Sequence, residues 1–225
     1  MTDIQAYLID LYKEDSSFGL KWVNVLKMTQ LSFEEVARLK FTMANSMPCD
    51  ESIISKIQKY LNVPKLVFLD LDGVINGNDE DSLYQKGKLS DDQELYSDVL
   101  VERLNRLLDE TGAKVVLSST WRLGLSQEQI EYRLADIGIK CDCIGFTPNF
   151  YKYSVRGNEI RAWIIDNEEL LGCDYRFRNY VIIDDDSDML LWQKDNFVNT
   201  NGMKGLTDED CELAKSIFEK FKPYI

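Results

Sequence analysis

Residues 65–74 read KLVFLDLDGV, an apolar run from Lys65 to Leu69 that stops at Asp70, with a second carboxylate, Asp72, two residues on and Gly73 directly after it. A short β-branched and aromatic run closed by a glycine turn is the mark of a buried strand. Residues at the carboxyl end of such a strand face the ligand crevice of an open α/β sheet, and the turn at Gly73 brings backbone amides close to whatever binds there. Two carboxylates this close repel one another if both are desolvated and anionic, so the pair needs a cation, a shared proton or open water. A divalent metal is the economical answer.

Further strand-like runs follow at Lys114–Leu117, Cys141–Phe146, Tyr180–Ile183 and, shorter, Phe197–Val198. Between them lie helical patterns at about 95–110, 126–136 and 157–167, and a closing helix begins at Thr207, where Thr207 and Asp210 form a capping-box pattern. Strands alternating with helices predict a three-layer α/β sandwich around a five-stranded, mostly parallel, Rossmann-like sheet over residues 65–225. Residues 1–64 are helical only. Apolar residues recur at helical spacing in Ile4, Tyr7, Leu8 and Leu11 and again in Ile53, Ile54, Ile57, Tyr60 and Leu61. Ser32 with Glu35 predicts a capped helix through Phe41, and Asp50 caps one ending at Asn62. This makes a small helical appendage with a net charge of −1, against −12 for the remainder.

The same sheet edge collects further polar residues. YVIIDDDSDM delivers Asp184, Asp185, Asp186 and Asp188 after the fourth strand, and KVVLSSTWR delivers Ser118, Ser119 and Thr120 after the second, with Arg122 beyond. Hard oxygen ligands on both sides of a crevice suit Mg²⁺. Hydroxyl groups suit a phosphate oxygen, and Arg122 stands either as a phosphate contact or as half of a salt bridge. Trp121 and Trp163 read as packing residues.

Composition narrows the chemistry. The 225 residues contain no histidine, which removes Ser/His/Asp and Cys/His nucleophile systems and His-ligated zinc. Five cysteines without CxxC spacing read as reduced thiols, with Cys141 and Cys143 as small buried hydrophobes. The absence of an apolar span of membrane length, together with an acidic N-terminus, predicts a cytoplasmic protein without membrane contact. A net charge of −13 excludes an extended nucleic-acid groove but leaves room for recognition of a phosphorylated end.

The motif Asp70-Leu71-Asp72-Gly73-Val74, with Ser118 closing the second strand and Asp184 and Asp185 after the fourth, resembles the haloacid dehalogenase superfamily of phosphotransferases. The wording VFLDLDGVIN, VVLSSTWR, RGNEIRAWI and VIIDDDSDM looks more narrowly like the small domains of that superfamily found with bacterial RNA repair proteins. The resemblance implies a phosphatase in which Asp70 is the nucleophile, Asp72 the acid and base, and Ser118 a phosphoryl-oxygen ligand. Mg²⁺ would be held by Asp70, the Asp72 carbonyl, Asp184 and Asp185. Arg156 matches the place of the superfamily's third-motif cation, with Lys152 and Arg161 as alternatives. Substrate contacts would come from Ser118, Ser119, Arg122 and Arg156. The gaps between Gly73 and Lys114 and between Arg122 and Val155 are too short for a large cap domain. The implied substrate is a phosphomonoester, with a nucleotide or a nucleic-acid end among the candidates. The competing reading is a regulatory or binding module with little turnover, its N-terminal helices serving as a protein or DNA adaptor. Oligomeric state is not legible in the sequence.

Overall fold

The structure, a computed structural model, describes residues 31–45, 47–61, 64–77, 96–150, 154–167 and 179–220. Chain contacts divide it into two compact units, with Pro64–Asp166 and Asn179–Lys220 forming the larger. In the smaller unit, helix α1 (Phe33–Ala44) opens on the expected capping box of Ser32 and Glu35. Helix α2 (Glu51–Leu61) opens where the Asp50 carboxylate accepts the Ser52 N–H at 2.9 Å. Ile53 and Ile57, one turn apart, are buried with Leu39 and Met43. The expected helix containing Ile4, Tyr7, Leu8 and Leu11 lies outside the described residues.

The larger unit runs β1 (Leu66–Leu69), α3 (Asp98–Thr111), β2 (Lys114–Leu117), α4 (Gln127–Ile137), β3 (Cys143–Phe146), α5 (Arg156–Asp166), β4 (Tyr180–Asp184), β5 (Phe197–Asn199) and α6 (Asp208–Lys220). The strands pair in the order β3-β2-β1-β4-β5, every neighbouring pair parallel. The chain steps outward from β1 through β2 to β3, crosses back to β4, and ends at β5. The sequence therefore changes direction between β1 and β4, the kind of switch point at which open α/β sheets bind ligands.

Each strand is short, and β1 is buried on both faces, which is why it reads as a continuous apolar run rather than an alternating one. Phe68 takes Trp163 of α5 edge-on at 5.5 Å and Tyr180 of β4 at 5.6 Å, so the expected packing role of Trp163 is met in the core. Truncating Phe68 to alanine would cost about 3–5 kcal/mol. Helix α3 buries Leu100, Val101, Leu104, Leu107 and Leu108, and α6 buries Cys211, Ala214, Ile217 and Phe218, each set a single helical stripe.

The third strand starts at Cys143 rather than Cys141. The β2–β3 register shifts between Val115 and Val116, and Val115 N–H is spent on the Asp142 carbonyl just before the ladder begins, at 2.9 Å. The four described cysteines, Cys49, Cys141, Cys143 and Cys211, are free thiols. Among the described residues no helix is long and apolar enough to cross a membrane.

Candidate active site

Register places the site. Leu69 is level with Leu117 of β2 and with Ile183 of β4, so the next residues along, Asp70, Ser118 and Asp184, arrive side by side at the carboxyl edge. The ladder itself continues through them. Asp70 N–H donates to the Ile183 carbonyl at 3.0 Å, and Ser118 N–H to the Leu69 carbonyl at 2.8 Å. All three side chains are buried.

Carboxylate oxygens of Asp70, Asp184 and Asp185 lie within 4.8 Å of one another. Burial first and the proximity of Asp70 second push the Asp184 carboxyl up to about 8. Asp70 is also raised by burial, with Arg156 and the Ser119 hydroxyl pulling the other way. Three carboxyl groups gathered at this spacing with raised pKa values repel when ionised, and a cation relieves that repulsion.

Three polar atoms at the same edge have no hydrogen-bond partner although buried: Asp184 Oδ2, Ser118 Oγ and, after β3, Thr147 Oγ1. A buried oxygen without a partner costs about 1–3 kcal/mol, so such atoms invite a ligand. The acids fit a hard divalent cation: they are all oxygen donors, one carries an oxygen without a hydrogen bond, and their spacing allows convergence on one ion.

Two glycines position the third acid. A Cβ on Gly73 would fall 2.2 Å from Asp185 Cγ, and one on Gly202 would fall 2.4 Å from Asp185 Oδ2. Gly73 also adopts φ +66°, a left-handed conformation that strains other residues. Asn199 anchors the Asp185 carbonyl through its Nδ2 at 2.8 Å. Nothing local in NTNGMK marks Gly202, whose role depends on contact with a residue of another loop.

Asp72 is exposed. Its Oδ1 accepts from Asn76 Nδ2 at 2.9 Å and its Oδ2 from Trp121 Nε1 at 3.0 Å. Asn76 in turn accepts the Gly73 N–H at 2.6 Å, closing the turn. Trp121, expected only to pack, therefore holds a site carboxylate.

Arg156, the first residue of α5, reaches into the cluster. Its guanidinium stands 3.4 Å from Asp70 Oδ1 and 3.9 Å from Asp184 Oδ2, and it donates to the Ser118 carbonyl. Burial opposes its charge, yet Asp70 and Asp184 hold it above arginine's ordinary range. Asp188 fixes the helix start by accepting the Arg156 N–H at 2.8 Å. Of the alternatives for this cation, Arg161 is exposed and Lys152 lies outside the described residues.

Two sequence expectations change. Arg122 is not a phosphate contact in this geometry. It is buried, and its donors are spent on the carbonyls of Thr147, Ser118, Ser119 and Pro148 and on Glu159 Oε2 at 2.8 Å, so it is the salt-bridge alternative that the structure adopts. Ser119 is likewise turned inward: its hydroxyl favours the ionised form of Asp70 and accepts the Trp121 N–H at 3.4 Å, which leaves Ser118 Oγ as the buried hydroxyl of the two without a hydrogen bond; Thr120 is exposed. Glu159, which also accepts the Phe150 N–H at 2.8 Å, carries no sequence signal beyond an acid within a helix.

A parallel sheet of this order with acids from β1 and β4 meeting at its carboxyl edge defines the class: a haloacid dehalogenase-type domain. A family model described as "HAD domain in Swiss Army Knife RNA repair proteins" matches residues 66–211, well over half of the chain, and the chain belongs to that family. This makes it a haloacid dehalogenase superfamily domain of phosphohydrolase kind. No curated protein and no solved structure matches.

Proposed function

We propose that this chain is a Mg²⁺-dependent phosphomonoesterase that works through an aspartyl-phosphate on Asp70. The observation that carries the reading is the pairing of a buried carboxylate, Asp70, with the unpartnered hydroxyl of Ser118 on the adjacent strand end. One would serve as the nucleophile and the other as a hydrogen-bond donor to a phosphoryl oxygen. Asp70, Asp184, Asp185 and the Asp72 carbonyl would hold the ion, which supplies charge neutralisation between an anionic phosphate and the acids.

The chain's own groups account for the bond changes. An Asp70 oxygen bonds to phosphorus while the ester P–O bond breaks, and the proton on the Asp72 carboxyl passes to the leaving oxygen, releasing the alcohol. A water oxygen then bonds to phosphorus as the aspartyl P–O bond breaks, and Asp72 takes up the water's proton. Phosphate leaves and both carboxyl groups return to their starting states. Ser118 Oγ donates to a phosphoryl oxygen, and Arg156 opposes the charge that Asp70 and the phosphate bring together.

The substrate class we propose is a terminal phosphate on a nucleic-acid strand, or a nucleotide. The family's description concerns RNA repair proteins, and a net charge of −13 suits contact with an end rather than with a long backbone. The test is phosphate release, with and without Mg²⁺, from p-nitrophenyl phosphate, nucleoside monophosphates, 3′- and 5′-phosphorylated oligonucleotides and phosphopeptides. Loss of release on chelation and in Asp70→Asn is expected, with an oligonucleotide end or a nucleotide preferred. Release unaffected by either change would refute the mechanism, and a preference for phosphopeptides would refute the substrate class.

A further inference from the structure

We infer that Trp121 is a positioning residue that aims the Asp72 carboxyl at the leaving group. With Asp72 taken as the acid and base proposed above, its carboxyl oxygen must come within about 2.6–3.2 Å of the leaving oxygen for proton transfer. An exposed aspartate on a turn does not meet that requirement unaided, because rotation about its terminal torsion is broad. Here each oxygen has its own N–H donor, Asn76 Nδ2 on Oδ1 at 2.9 Å and Trp121 Nε1 on Oδ2 at 3.0 Å. Together the two donors fix the plane of the carboxyl group.

The two donors are not equivalent. Asn76 belongs to the same turn as Asp72 and moves with it. Trp121 comes from the end of β2, in the short 3₁₀ segment Thr120–Arg122, so its bond ties the acid to the strand that carries Ser118. That segment is itself anchored. Ser119 Oγ accepts the Trp121 backbone N–H, the next residue is the buried Arg122, and the Arg133 guanidinium lies 5.3 Å from the centre of the indole ring.

Indole nitrogen suits this task because it is a donor only. It cannot take a proton from Asp72 or compete for the one being transferred, and a carboxyl oxygen bonded to it keeps another lone pair for the proton. An amphoteric neighbour would offer the proton a second resting place.

The test is a ratio. p-Nitrophenyl phosphate releases an anion that needs little protonation, whereas benzyl phosphate, similar in size, releases a poor alkoxide leaving group that does. kcat/KM is measured for both esters with Mg²⁺ in the unaltered chain, Trp121→Phe and Asp72→Asn. Trp121→Phe keeps an aromatic ring under Arg133 and removes the N–H. The benzyl-to-p-nitrophenyl ratio is expected to fall about tenfold or more in Trp121→Phe and further in Asp72→Asn, within the about 10²–10⁴-fold range of acid catalysis. Because the ratio is taken on one preparation, loss of folded protein cancels. If Trp121→Phe does not fold at all, Trp121→Leu, which also removes the N–H, is read the same way and is expected to lower the ratio.

A purely structural role for Trp121 would lower both rates equally. An unchanged ratio in Trp121→Phe with a fallen ratio in Asp72→Asn overturns the inference alone. An unchanged ratio in Asp72→Asn overturns the acid role of Asp72, and the inference with it.

Discussion

The α/β unit buries two groups of charge, and they are built in opposite ways. Around Arg122 and Glu159 every charged oxygen has a donor: Glu159 Oε1 accepts from Phe150 N–H and Oε2 from Arg122, whose other N–H groups reach four carbonyls. Around Asp70 and Asp184 acids outnumber cations, one carboxylate oxygen has no hydrogen-bond partner, and the neighbouring Ser118 hydroxyl has none either. Burial is common to both groups, so burial does not mark the site. A carboxylate oxygen left without a hydrogen bond does: among the described residues Asp184 Oδ2 is the buried one, whereas the neutral oxygens of Ser97, Thr147 and Asn179 lack a partner as well. The first group ties the ends of β2 and β3 to α5, and the second gathers acids from the ends of β1 and β4.

The contrast can be broken by substitution. Asp70→Asn should lower phosphate release by about 10³-fold or more, equivalent to roughly 4 kcal/mol of barrier, while leaving the thermal midpoint unchanged or higher, because it removes one of several crowded acids. A large loss of stability would instead make Asp70 part of the scaffold. Arg122→Met should do the reverse, costing about 3–5 kcal/mol in urea unfolding because it strands Glu159 without its cation. A midpoint equal to that of the unaltered chain would show that the paired group holds nothing.

Smaller changes sharpen the same contrast. Gly202→Ala adds a methyl group that would meet Asp185 Oδ2, so the half-saturating Mg²⁺ concentration for phosphate release should rise about tenfold, with the rate at saturation much less affected. An unaltered Mg²⁺ dependence would remove Asp185 from the metal site.

Protonation gives the smallest effect. The folded Asp184 carboxyl titrates near 8 because of burial and Asp70, above the ordinary value of the unfolded chain. The folded state therefore binds more protons than the unfolded state between about pH 4 and pH 8, and stability falls as pH rises through that window. Without metal, the thermal midpoint should drop by a few degrees between pH 5 and pH 8.5, and Mg²⁺ should restore more of it at pH 8.5 than at pH 5. A midpoint that rises with pH in chelator would contradict the crowding of these acids.

Much of this architecture is legible in the residues alone, for a physical reason. Strands buried on both faces must be apolar throughout, so β1, β2 and β4 stand out as unbroken runs, and the acids and hydroxyls that end them are fixed at one edge by the parallel register. Asp70, Ser118 and Asp184 are therefore found by position. Contacts made at long range are not. Glu159 lies in a helix whose burial is set by β2 and β3, Gly202 matters only because Asp185 packs against it, and the Trp121 indole meets Asp72 across two strand ends. Arg122 shows the limit of reading from neighbours: its place beside a hydroxyl cluster suggests a phosphate, whereas carbonyls from two loops and Glu159 occupy its donors. At β3 the limit is pairing, since the ladder to β2 opens with Cys143 opposite Val115, two residues later than the apolar pattern begins.

The most direct test is calorimetric titration of Mg²⁺ into the unaltered chain and into Asp184→Asn. One ion per chain should bind to the first, with an observed heat that changes linearly with the buffer's ionisation enthalpy as Asp184 gives up its proton, and the second should show no binding at the same site. Identical isotherms for the two proteins would contradict the assignment of these acids to a cation.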